Sequence, residues 1–74
     1  MYRVIDVVGM NCEHCRKAVE MALAEVPGVG EVNVDLNKKT AYVKLDFDVD
    51  DGTLMAAVDD AGFEAVSVRR AESA

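Results

Sequence analysis

The apolar residues of this chain change period in a fixed order, from about 2 residues to about 3.6 and back, and that order restricts the folds open to it. Over residues 2–8, Ile5 and Val7 fall on one face of a strand, while Val4 and Asp6 point the other way. Residues 13–26 then carry Cys15, Val19, Ala22, Leu23 and Val26 at helical spacing, with Arg16, Lys17, Glu20 and Glu25 at other positions. Pro27-Gly28 ends this helix, because the residue before a proline is pushed out of helical backbone. Residues 31–36 and 40–45 alternate around Asn37-Lys38-Lys39, which predicts an antiparallel hairpin. Residues 48–51 supply N-cap candidates for a second helix bearing Leu54, Ala57, Val58 and Ala61 on one face. Gly62 suits the left-handed position beyond its end, and residues 64–69 make a last strand.

The order βαββαβ predicts an α+β, ferredoxin-like domain: a four-stranded antiparallel sheet with both helices on one face. The 74 residues allow one domain, 1–70, followed by a frayed tail, 71–74. A chain this short buries a small core and leaves no room for a large active-site cavity.

Acidic residues outnumber basic ones 14 to 8, a net charge of -6. Nucleic acids and anionic membranes are bound through basic faces, so neither is expected as a partner, and a protein partner would offer a basic surface. No apolar run approaches the ~20 residues that span a bilayer, and the N-terminus lacks the basic-then-apolar pattern of a secretory signal. The expectation is a soluble, cytoplasmic protein that does not insert in membranes.

Cys12 and Cys15 are the only cysteines, and they sit where the first strand meets the first helix. A Cys-x-x-Cys pair there has its sulfurs about one turn apart, near the positive end of the helix dipole, which favours the thiolate form. In a reducing compartment such a pair reads as metal-binding or redox-active rather than as a structural disulfide. Two thiolates suit a soft ion such as Cu(I) or Hg(II) in a low-coordinate arrangement, whereas structural Zn(II) normally takes four protein ligands. A thiol-disulfide oxidoreductase uses the same motif, but this chain is short for a thioredoxin fold and its sole proline, Pro27, follows the first helix.

Four further features bear on the site. His14 lies between the cysteines and reads first as an exposed first-turn residue that does not ligate, with tuning of the thiolates or occasional ligation as the alternative. Met10 has a thioether able to bind Cu(I), but an apolar residue at a strand end reads first as packing; Met21 and Met55 read as helix filler. Phe63 follows Gly62 in a loop that the fold returns to the cysteine end, where it would shield a metal from water or serve equally as an ordinary core aromatic after a helix cap. Asp46, Asp48, Asp50 and Asp51 do not have calcium-loop spacing and read as a solvated turn with helix caps.

Gly9-Met10-Asn11-Cys12-Glu13-His14-Cys15, with Gly28-Val29 and Ala61-Gly62-Phe63, resembles the heavy-metal-associated domain family up to about Arg70. The resemblance implies a non-enzymatic carrier that holds Cu(I) on Cys12 and Cys15. It would pass the metal by ligand exchange to a copper-transporting P-type ATPase metal-binding domain or a copper-responsive repressor. His14 and the short length resemble the soluble bacterial copper chaperones of that family. Phe63 stands where those chaperones more often carry Tyr and the ATPase domains carry Phe, so an ATPase metal-binding domain or a mercury-binding protein stays open. The expected state is a folded apo monomer, with copper-bridged dimers through the exposed dithiolate.

Overall fold

The computed structural model describes residues 1–70, so the tail expected at 71–74 lies outside the described residues. Six elements follow in the expected order: β1 (Tyr2–Val8), α1 (Glu13–Ala24), β2 (Val29–Asp35), β3 (Thr40–Leu45), α2 (Asp51–Asp60) and β4 (Glu64–Arg70). The four strands form one antiparallel sheet in the order β2-β3-β1-β4, the ferredoxin-like arrangement.

Strand parity decides which side chains meet the helices. Ile5 and Val7 of β1 and Ala41 and Val43 of β3 point inward and pack with Val19 and Leu23 of α1 and Leu54 and Val58 of α2. Seven of these large side chains are fully buried, and burying each contributes about 1.5–3 kcal/mol. The other sheet face is open and bears Tyr2, Tyr42 and Val8, all exposed. Val4 lies on that face as expected, yet it is buried, flanked across the strands by Tyr42 and Arg69.

Two boundaries differ from the periodicity by two residues. α1 ends at Ala24, because Val26 bonds back to the Leu23 carbonyl at 3.1 Å and tightens the last turn; Val26 stays buried all the same. β2 begins at Val29, two residues early, with an irregularity in its pairing to β3 between Val29 and Glu31. Asp50 is the N-cap of α2, but no acidic side chain there makes a cap hydrogen bond. Instead Asp48 and Asp51 face the buried Arg3, at 3.2 and 3.8 Å, so part of the acidic turn is a strap rather than a set of caps. Gly62 does take the left-handed conformation, at φ 96°.

β1 and β2 run one way and β3 and β4 the other, so the β1–α1 loop, the 36–39 turn and the 61–63 loop share one end of the sheet. A hydrogen bond from the Val7 amide to the Lys39 carbonyl at 2.9 Å ties the first two together.

Candidate metal centre

One buried side chain and one half-buried aromatic fix the loop that carries the cysteines. Met10 is only 2% exposed and belongs to the core, so it pins the loop from below and its thioether serves packing. Gly9 turns the chain at φ 104°, and the position of a Cβ on it would lie 3.4 Å from Cδ1 of Phe63. Phe63 is thereby brought against the cysteine loop, as the topology predicted. It is half-buried and packs on the core.

Cys12 is the N-cap of α1. Its carbonyl accepts the Arg16 amide at 3.0 Å and starts the helix, while its side chain stands exposed. Cys15, one turn on, is half-buried and packs against the core. The Cys12 thiol donates to the Cys15 sulfur at 3.6 Å, well beyond the ~2.05 Å of a disulfide. A thiolate sits about 2.3 Å from an ion such as zinc, so one thiophilic ion can touch two sulfurs up to ~4.6 Å apart. The donor set therefore fits a single soft metal with one sulfur fixed and one open.

Local electrostatics prepare the open sulfur. The Cys12 thiol is held below its ordinary pKa, first by the backbone N–H of Cys15, then by the Cys15 thiol and the backbone N–H of His14. Partial desolvation and the neighbouring Glu13 carboxylate oppose this. These amides belong to the first turn of α1, where free N–H groups favour negative charge. They act on Cys12 as a thiolate; in the thiol form its side chain makes no cap hydrogen bond.

Arg16 is a neighbour that the motif alone did not single out. Its guanidinium is clamped by Glu13 at 2.7 Å and Glu20 at 2.8 Å, which raises its pKa and offsets the Glu13 charge beside Cys12. The i,i+3 and i,i+4 spacing was the available signal. His14 is exposed, and its backbone N–H is what acts on Cys12. Among the described residues, no cluster of three or more His, Cys, Asp or Glu side chains is placed to hold a metal.

The sequence profile of the heavy-metal-associated domain matches residues 4–64. The chain is 43% identical over 65 residues to the copper chaperone CopZ of Staphylococcus haemolyticus, covering 84% of this chain and 93% of that one. Among solved structures, a CopZ metallochaperone superposes with a TM-score of 0.83 at 33% identity, over 89% of this chain and all of its own. A copper-binding domain of the P-type ATPase HMA7 superposes at 0.84 with 34% identity, over 95% and 96% of the two chains. With the profile spanning most of the chain, the protein belongs to the heavy-metal-associated domain family.

Proposed function

We propose that this protein is a metallochaperone that binds Cu(I) through the Cys12 and Cys15 thiolates and hands it on by ligand exchange. The observation that carries the reading is the 3.6 Å dithiol with Cys12 exposed at a helix N-terminus. Two sulfurs leave a soft ion under-coordinated, so an incoming thiolate can join before either of these leaves. A cysteine of a partner's metal-binding domain adds to the ion and gives a three-sulfur bridge. The exposed Cys12 departs first, and a second partner thiolate then replaces Cys15. The metal's charge does not change, and each sulfur binds as a thiolate, so proton release on loading balances proton uptake on unloading.

Nothing in this cycle needs a general base or a catalytic cavity, so we read the protein as a carrier and not an enzyme. Among the described residues no helix is long and apolar enough to cross a membrane. A carrier whose thiols must stay reduced suits the cytoplasm, which we read as its location. The acceptors that fit are the metal-binding domain of a copper-transporting P-type ATPase and a copper-responsive repressor. The apo protein is read as a monomer, with the open Cys12 allowing a copper-bridged dimer. Phe at position 63, where the resemblance gives the free chaperones Tyr, supports a second reading, a metal-binding domain of a heavy-metal ATPase that would use the same two sulfurs.

Competition titration against chelators under reducing conditions tests the metal assignment. One Cu(I) per chain is expected, bound far more tightly than Zn(II), with Hg(II) as a second thiophilic competitor. Cys12→Ser and Cys15→Ser should each lose most of the affinity. A double variant that holds Cu(I) as tightly as the wild type, or a clear preference for zinc, would overturn the assignment.

A further inference from the structure

By residue type, the stretch from Cys12 to Cys15 contains two sulfurs, a carboxylate and an imidazole, and Zn(II) accepts all three kinds of donor. The folded chain does not assemble them: among the described residues no three His, Cys, Asp or Glu side chains are grouped to hold an ion. For Glu13 the structure gives the reason.

Glu13 follows Cys12 in the chain and opens α1, near enough that its carboxylate opposes ionisation of the Cys12 thiol. That carboxylate is already engaged elsewhere. Its Oε2 accepts from Nε of Arg16 at 2.7 Å, while Nη1 of Arg16 donates to Oε2 of Glu20 at 2.8 Å. Both lengths are those of charge-assisted hydrogen bonds. The Arg16 side chain is only 24% exposed, so the guanidinium is held in place between two carboxylates on successive turns. A planar fork with several donors suits that double contact, and a point-like ammonium does not.

We propose that Arg16 is a positioning residue for metal selection: by clamping the Glu13 carboxylate it withholds an oxygen ligand from the dithiol, which disfavours Zn(II) and leaves the two sulfurs to a soft ion. The proposal rests on the reading of Cys12 and Cys15 as a Cu(I) site. Ligand chemistry sets the direction. Two thiolates satisfy Cu(I), which gains little from a hard oxygen, whereas Zn(II) on two sulfurs has half a shell to fill. His14 alone would bring that shell to three, one short of the four protein ligands of a structural zinc. To recruit Glu13, Zn(II) must first break its contact with Arg16, so the apparent affinity falls by the fraction of chains in which Glu13 is free. For a partly exposed ion pair that fraction is on the order of a tenth.

Chelator competition under reducing conditions tests this on the full chain, with Zn(II) and Cu(I) measured separately for the wild type and three variants. Arg16→Met keeps the apolar stem and the helix propensity. It is expected to bind Zn(II) about tenfold tighter, while Cu(I) affinity moves by no more than about threefold and reports an intact site. Glu13→Gln/Arg16→Met has the wild-type net charge and keeps His14, and its Zn(II) affinity should return to the wild-type value. Lys17→Met removes a cation from the same turn without touching the clamp, and should leave the ratio of Zn(II) to Cu(I) affinity unchanged. Infrared difference spectra should show a carboxylate band that shifts when Zn(II) is added to Arg16→Met and is absent from the double variant. An Arg16→Met ratio equal to that of the wild type, a Zn(II) gain that survives Glu13→Gln, or an equal gain in Lys17→Met would each overturn the proposal and leave the Cu(I) reading standing. A wild type that prefers Zn(II) would overturn both.

Discussion

A methyl group at Gly9 would be opposed by the left-handed backbone at φ 104°, while Cδ1 of Phe63 at 3.4 Å would meet it only in ordinary contact. Gly9→Ala is therefore expected to cost about 1–2 kcal/mol in urea denaturation, mostly from the backbone. A cost near zero would show that the loop relaxes freely. Cys12 is governed by its surroundings in the same way. Its lowered pKa predicts that alkylation followed by mass spectrometry titrates with a midpoint below the ~8.5 of a free cysteine. A midpoint at or above that value would remove the helix amides as the cause. The sign also sets metal uptake: the thiolate persists to lower pH, and binding is lost as acid protonates it. The dithiol was legible because both cysteines sit within one helical turn of sequence. The Gly9 contact with Phe63 was legible only as a consequence of the fold.

At the level of elements, the least anticipated feature is Arg3, 5% exposed on the helix-facing side of β1. Its Nη1 donates to the Tyr2 carbonyl at 2.9 Å and its Nη2 to Asp48 at 3.2 Å, while its buried Nε has no hydrogen-bond partner. The guanidinium thus ties the start of α2 to the sheet, but incompletely. Its carboxylate partners are mostly exposed, so leaving them unpaired costs little. Arg3→Met is accordingly expected to stay within about 1 kcal/mol of the wild type, and Arg3→Ala to lose about 1–2 through the missing apolar stem. A large loss in both, measured by chemical denaturation, would mean that the ion pairs matter more than the packing. Alternation alone assigns position 3 to the core face, but a charged residue there reads as a violation until its partners are known. Those partners come from a turn 45 residues away.

The buried cluster draws on all four strands and both helices, so the whole molecule is expected to hold its core without metal. Reduced apo protein should melt cooperatively, and Leu54→Ala, at a fully buried site, should cost about 2–5 kcal/mol. That is a large share of the ~5–15 kcal/mol typical of a domain. If Cu(I) binds only the folded dithiol, metal at about a thousandfold excess over Kd adds about 4 kcal/mol. The melting temperature should then rise by more than ~10 °C in a scan with Cu(I). A random-coil circular dichroism spectrum of the apo form would contradict the first expectation, and an unchanged melting temperature the second.

The sequence by itself determined the element order, the inward faces of the strands and helices, and the place of the Cys pair at a helix start. All of these follow from short-range periodicity and from residues adjacent in the chain. The tertiary structure alone decided what Arg3 touches, why Val4 is buried on an open face, and how Phe63 meets Gly9. These contacts join residues far apart in sequence. They depend on register, twist and the packing of one helix on another, which no local pattern encodes.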